Sequence, residues 1–334
     1  MKYFIFILFM ENKYKSEVDV AVLLLFFTRT KITKRTFEQI RKARPSKLFL
    51  YQDGPRSGRE DDIVNIKNCR EAIEAMIDWE CEVYRMYQDK NYGCDPSEYI
   101  SQKWMFNHVD KGIIIEDDDV MSVSFFRFCK ELLDKYEHDT RINIICGMNH
   151  LGIYEDCPYD YLFTRTGGAI WGWATWKRVV DQWDSTYEFL KNPYAIKNLY
   201  SEFGNEEIRS FISTCKRHYK SGREHYESIL GSFSLLNGTM NIVPTKNMTC
   251  NIGVDLETTH SVSNINMLPR AVRRQLFMKT HEINFPLNHP KYIQSDYYYW
   301  EKVKKIINGN WFVRTFKLRK IESLIYRMFY SIIK

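Results

Sequence analysis

A hydrophobic run that stops abruptly at four consecutive acids constrains this chain more than any other feature. Ile113-Ile114-Ile115 is followed directly by Glu116-Asp117-Asp118-Asp119. An apolar run of that length between polar flanks suits a strand buried on both faces of a parallel sheet. The stretch after it places Phe125, Phe126, Cys129, Leu132 and Leu133 on one helical face. The carboxyl ends of such strands are where open α/β sheets take their ligands. Like charges this close disfavour joint ionisation unless a cation or protons intervene. Hard oxygen donors suit Mg²⁺ or Mn²⁺, which can bridge a protein to phosphate oxygens. The other reading is an acidic first turn for the next helix, since carboxylates favour a helix N-terminus.

The chain upstream supports a parallel sheet. Residues 18–27 form a first apolar run, and Thr33 can cap a helix through Phe37, Ile40 and Ala43. A second strand follows over 47–51. Strand, helix and strand with short connections make a βαβ unit with a right-handed crossover. A helix over 62–79, a strand over 81–87 and a helix over 97–108 complete a Rossmann-like half. No Gly-x-Gly-x-x-Gly follows the first strand and no Gly-x-x-x-x-Gly-Lys-Ser/Thr occurs, which disfavours a dinucleotide dehydrogenase and a P-loop enzyme. The first two strands end in Arg29 and Asp53. Arg29 can pair with phosphate. Asp53 can accept hydrogen bonds from a base or ribose, or Asp53-Gly54-Pro55 is simply a turn.

Beyond a strand at 143–146 the regular alternation breaks. The stretch Thr166-Gly167-Gly168-Ala169-Ile170-Trp171-Gly172-Trp173-Ala174-Thr175-Trp176 combines glycines, which let backbone approach a ligand, with three tryptophans. It reads either as part of a pocket or as a tight turn entering a helix over 174–183. A polar, helical insertion is expected over 184–225, a helix over 226–236 and a strand over 240–244. Residues 311–334 form an amphipathic, basic helix that suits a membrane surface, its own domain or a dimer partner.

The net charge of +6 is too small and dispersed to argue for nucleic acid. Eight cysteines without a Cys-x-x-Cys pair point to reduced thiols rather than a zinc site or a disulfide frame, and hence to a cytoplasmic protein. The apolar start, residues 1–10, is too short to span a bilayer and lacks a cleavage site. The expected organisation is a leader over 1–17, a catalytic domain over 18–265 with nucleotide (18–120) and acceptor (121–265) halves, and a helical extension over 266–334.

Taken together and in order, these pieces resemble a family. Phe27-Thr28-Arg29, Gln52-Asp53-Gly54-Pro55-Arg56, Trp104, the Ile-Ile-Ile-Glu-Asp-Asp block with Phe125-Phe126, and the stretch from Ile170 to Trp176 are similar to GT-A-fold glycosyltransferases. The likeness is to bacterial sugar transferases labelled haemolytic proteins and, more distantly, to the N-acetylglucosaminyltransferase I family. It implies a mixed α/β sheet flanked by helices and a metal-dependent enzyme that uses a nucleotide sugar, UDP-linked by expectation, with inversion. The acceptor would be a surface glycan or a lipid-linked precursor in polysaccharide biosynthesis, with the C-terminal helix at the inner membrane face.

By the same resemblance, Arg29 and Asp53 contact the nucleotide, and Glu116 and Asp117 contact the donor ribose and sugar. Asp118 holds Mn²⁺ or Mg²⁺, with His260 as a second ligand, and Asp119 is an extra acid. Glu227 occupies the general-base position, where related sequences carry aspartate. Gly168 and Trp171 would line the sugar pocket. Glu227 also reads as a surface glutamate and His260 as a loop histidine. Two rivals stand beside this expectation: a sugar-nucleotide nucleotidyltransferase of related fold, which usually shows a Gly-rich opening and a lysine after the first strand, and a non-catalytic scaffold.

Overall fold

The structure, a computed structural model, describes residues 13–254 and 273–308. Its centre is β1 (Val18–Phe26), whose last seven residues are all buried. α1 (Thr30–Ala43) leads to β2 (Pro45–Gln52), α2 (Glu60–Glu74) to β3 (Glu82–Tyr87), and α3 (Cys94–Phe106) to β4 (Lys111–Glu116). β1 runs parallel to both β2 and β4, with Leu24 opposite Leu50 on one side and Ile115 on the other. β3 extends the sheet in parallel beyond β2. Strands without charged side chains on either face can occupy this position because helices cover them.

The second half adds β5 (Asp119–Met121), α4 (Ser124–Lys135), β6 (Ile142–Cys146), β7 (Tyr161–Thr164), β8 (Trp173–Trp176) and α5 (Lys177–Val180). α6 (Pro193–Phe203) and α7 (Asn205–Ser221) form the expected helical insertion, followed by α8 (Tyr226–Asn237), β9 (Met240–Pro244) and β10 (Thr249–Asn251). The eight-stranded mixed sheet has the order β3-β2-β1-β4-β8-β6-β9-β7, with β8 antiparallel to β4 and β6. β5 and β10 make a separate antiparallel pair beside the end of β4. This is the Rossmann-like mixed α/β architecture expected from the sequence.

Two expectations need correction. The helix anticipated over 174–183 shrinks to α5, because Trp173–Trp176 is instead a fully buried strand between β4 and β6. Aromatic and β-branched side chains on a strand covered on both faces outweigh the helical pattern. The Trp176 indole donates to the Leu133 carbonyl at 2.9 Å, and Thr175 donates to the Asn143 carbonyl at 2.7 Å. Those side chains fill the core rather than a pocket.

The C-terminal segment packs onto the same core. The Glu282 carboxylate accepts from the Val123 and Ser124 amides at the start of α4, at 3.1 and 2.7 Å. α9 (Tyr297–Asn308) packs along β7 and buries Tyr299 and Val303. Among the described residues no helix is long and apolar enough to cross a membrane. The leader's first residues, His260 and the basic helix over 311–334 lie outside the described residues.

The core position of β1 yields a direct test. Leu24→Ala should cost about 2–5 kcal/mol. A thermal melt should register it at roughly 2–4 °C per kcal/mol for a domain of this size.

Candidate active site

The carboxyl ends of β1, β2 and β4 open into one cleft of about 330 Å³. Phe27, Arg29, Asp53, Glu98, Glu116 and Asp117 are among its lining residues. Four of the residues expected to contact the donor are therefore brought to one place, although they lie up to 88 positions apart.

The structure gives two of them work different from that expected. Asp53 accepts from the backbone amides of Gly54, Tyr92 and Gly93 at 2.9–3.1 Å and from the Asn91 side chain at 2.8 Å. Its carboxylate thus ties the loop after β3 to the end of β2. Gly54 permits this, since a Cβ there would lie 2.5 Å from the Lys90 amide nitrogen. Asp53 is both a cleft wall and a loop anchor.

Arg29 was expected to reach phosphate. Instead its guanidinium spans Asp117 and Asp118: Nε donates to Asp117 Oδ2 at 3.2 Å, while Nη2 contacts Asp117 Oδ1 and donates to Asp118 Oδ2 at 2.9 Å. Three adjacent acids at a strand end need a counter-charge, and a planar fork that can meet two carboxylates supplies it. Arg56 is likewise committed, gripping the buried Asp62 with two hydrogen bonds of 2.7 Å.

The remaining acids are dealt with in other ways. The Asn251 amide donates to Asp118 Oδ1 at 3.0 Å and to Asp119 Oδ1 at 3.1 Å. Asp119 is completely buried, and its Oδ2 has no hydrogen-bond partner. Burial, then Asp118, push its carboxyl well above the ordinary range. The extra acid of the motif is thus a buried residue opening β5, opposite Asn251 of β10, with its carboxyl pushed toward the neutral form. Gly253 closes over Asp118, where a Cβ would fall 2.1 Å from Oδ2.

Glu98, which the sequence reading passed over, is the residue that connects the two sides of the site. It sits one turn into α3, four residues after Cys94 and only 7% exposed, with the Cys94 thiol 3.5 Å from Oε1. Burial, then Glu227, raise its carboxyl well above the ordinary 4.5, and burial, then Glu98, do the same to Glu116. Glu227 lies in the first turn of α8, as expected, and keeps exposed surface. Surrounding protein still desolvates it enough to raise its carboxyl, with Asp95 adding to the effect and His225 opposing it. Tyr226, buried and stacked on Trp173 at 6.3 Å, lies within reach of all three glutamates, and burial foremost holds its phenol protonated. The only sequence signal for Glu98 is an acid near the start of a helix, which ordinarily faces water.

Gly168 and Trp171 are not among the residues lining the cleft. Gly168 packs against Asn241 of β9, where a Cβ would meet the amide nitrogen at 2.5 Å. That glycine serves close packing within the sheet's second half. All eight cysteines are free. Among the described residues, no three His, Cys, Asp or Glu side chains are placed together to hold a metal ion.

No protein-family model matches the chain, and no curated protein sequence does. Solved structures align with this chain, among them the following. UDP-glucose pyrophosphorylase complexed with UDP-glucose aligns at a TM-score of 0.35 and 9% identity, over 69% of this chain and 92% of its own. The inositol-1-phosphate CTP transferase from T. maritima aligns at 0.36 and 10%, over 71% and 91%. The 4-diphosphocytidyl-2C-methyl-D-erythritol synthase from Anaerococcus prevotii aligns at 0.28 and 11%, over 66% and 99%. At these scores function has to be argued from the site itself.

Two substitutions probe its electrostatics. Arg29→Leu leaves two part-buried carboxylates without their cation and should cost about 3–5 kcal/mol, part of which Asp117→Asn restores; urea denaturation of the single and double variants checks this. Folding raises the Glu98 carboxyl, so the stability that its proton contributes is complete below the ordinary value of 4.5 and is lost as pH rises through the folded value. Glu98→Gln cannot ionise. Its melting temperature should therefore gain on the native protein as pH rises above about 4.5, the ordinary carboxyl value, and thermal melts across a pH series check this.

Proposed function

We propose that this chain is a glycosyltransferase that moves a sugar from a nucleoside diphosphate, UDP by preference, to a glycan or lipid-linked hydroxyl. The observation that carries this reading is the pair Glu98 and Glu116 on the cleft wall, with Glu227, in the first turn of α8 and outside the cleft lining, near enough to Glu98 to raise its carboxyl. A transfer of this kind needs a donor cleft on one side and a base able to reach the acceptor on the other.

Each group has a task in that reaction. The loop held by Asp53, together with Phe27, forms the wall against which the base and ribose would rest. Glu116 and Glu98, whose carboxyls burial pushes toward the neutral form, offer hydrogen-bonding groups for sugar hydroxyls. Glu227 takes the proton of the acceptor hydroxyl, whose oxygen forms a bond to the anomeric carbon as the bond from that carbon to the diphosphate breaks. A carboxylate raised toward neutral pH suits this task, because a base works best when its pKa approaches the working pH. Attack from the Glu227 side, opposite the leaving diphosphate, gives inversion.

A divalent cation would be held through Asp118. Ions of this kind use one or two carboxylates and complete their shell with water and phosphate oxygens, so a three-carboxylate cage is not required. The hard oxygens of Asp118 fit that chemistry, once its pairing with Arg29 loosens. Bound there, Mg²⁺ or Mn²⁺ would neutralise charge on the departing diphosphate.

The rival reading, synthesis of the sugar nucleotide from a nucleoside triphosphate, is less well supported at the phosphate end. That chemistry calls for uncommitted cations after the first strand, where Arg29 is already paired with two aspartates. The two reactions release different products. Incubation with UDP-, GDP-, CMP- and dTDP-sugars, with and without Mn²⁺, should release a free nucleoside phosphate from one donor class only. Glu227→Gln should cut turnover by about 10²–10⁴ while donor binding persists. Asp118→Ala should abolish the cation-dependent thermal shift produced by that donor. Pyrophosphate formed from a nucleoside triphosphate and a sugar phosphate would transfer the assignment to the rival.

A further inference from the structure

Three guanidinium groups line the donor cleft: Arg29, Arg56 and Arg223. The first is shared between Asp117 and Asp118, and the second is locked onto Asp62. Arg223 alone has no hydrogen-bond or ion-pair partner for its side chain among the described residues. Its surroundings in the cleft are acidic, since Asp53, Asp95, Glu98, Glu116 and Asp117 line the same walls. Of the guanidinium groups on these walls, only that of Arg223 is not already committed to a carboxylate among the described residues.

The loop that carries Arg223 is built to hold it over the opening. α7 ends at Gly222, which adopts a left-handed conformation (φ +66) and turns the chain back. The Arg223 amide donates to Ser221 Oγ at 3.2 Å, and that same oxygen lies 3.1 Å from His225 Nε2. The other ring nitrogen of His225 lies 3.2 Å from Asp95 Oδ1, in the first turn of α3 on the cleft wall. The loop is therefore tied at both ends, while the guanidinium itself is left free. Arg223 also lines an adjoining cavity of about 340 Å³, which places it where the donor cleft meets the neighbouring space.

We infer that Arg223 is the cation that receives the diphosphate of the nucleotide-sugar donor. This rests on the nucleotide-sugar function proposed above. It moves the phosphate-binding role from Arg29, at the end of β1, to a loop on the opposite wall. An arginine fork can meet two phosphate oxygens at once, which a lysine cannot.

Calorimetric titration of the full chain at fixed Mg²⁺ tests this, using UDP and uridine, CDP and cytidine, and GDP and guanosine. The native protein should bind one nucleoside diphosphate at least about tenfold more tightly than its nucleoside. Arg223→Gln should lose that excess while binding the nucleoside alike, and Arg223→Lys should keep part of it. Because the side chain is exposed and unpaired, both variants should melt with the native protein. If Arg223→Gln keeps the full diphosphate excess, the inference is overturned and the proposed function stands. If the native protein binds none of the three diphosphates, the nucleotide-sugar reading falls and takes the inference with it.

Discussion

Four carboxyl groups at the end of a buried strand can coexist only if most of their charge is removed, and the surroundings of β4 are arranged to do this. Arg29 pairs with both Asp117 and Asp118, the Asn251 amide braces Asp118 and Asp119, and burial pushes the Asp119 carboxyl toward its neutral form. Each device recruits a different part of the chain. The start of α1 provides the guanidinium, β10 provides the amide, and α3 and α8 bring up Glu98 and Glu227. The tertiary structure around the cleft can be described as the set of contacts that make this acidic strand end tolerable.

The arrangement has a chemical consequence. Arg29 and Arg56 are spent on the chain's own acids, so under the proposed function a diphosphate would find its counter-charge in a metal ion at Asp118 or in Arg223. Under the proposed function, a cation held at Asp118 would compete with Arg29 for the same carboxylate, so donor binding would be coupled to the Arg29 pairing.

Legibility from sequence followed the length of each signal. β1, β2 and β4 were visible because long apolar runs between polar flanks have few other uses, and the observed bounds differ from the expected ones by a residue or two. β5, β7 and β10, with three or four residues each, show no period and were missed. The Trp173–Trp176 segment misled because its apolar residues continue into a helix, and only the presence of β4 and β6 on either side makes it a strand. Asp53, Glu116 and Asp117 could be placed at the cleft from their positions at strand ends, and all three line it. Glu98 and Arg223 could not, because they come from a helical turn and an insertion loop whose positions over the cleft depend on packing.

The sequence by itself determined that a parallel sheet ends in a cluster of acids, because hydrophobic runs and charge are local properties of the chain. It also determined which acids stand at that edge. Only the tertiary structure decided which of them are paired, which are protonated and which remain available. A carboxylate's charge depends on the dielectric and the partners around it, and those partners arrive from segments as much as 133 residues away. For the same reason Arg29, the obvious phosphate ligand in sequence, is consumed by its own protein, while Arg223, an unremarkable residue in a loop, is left free to bind.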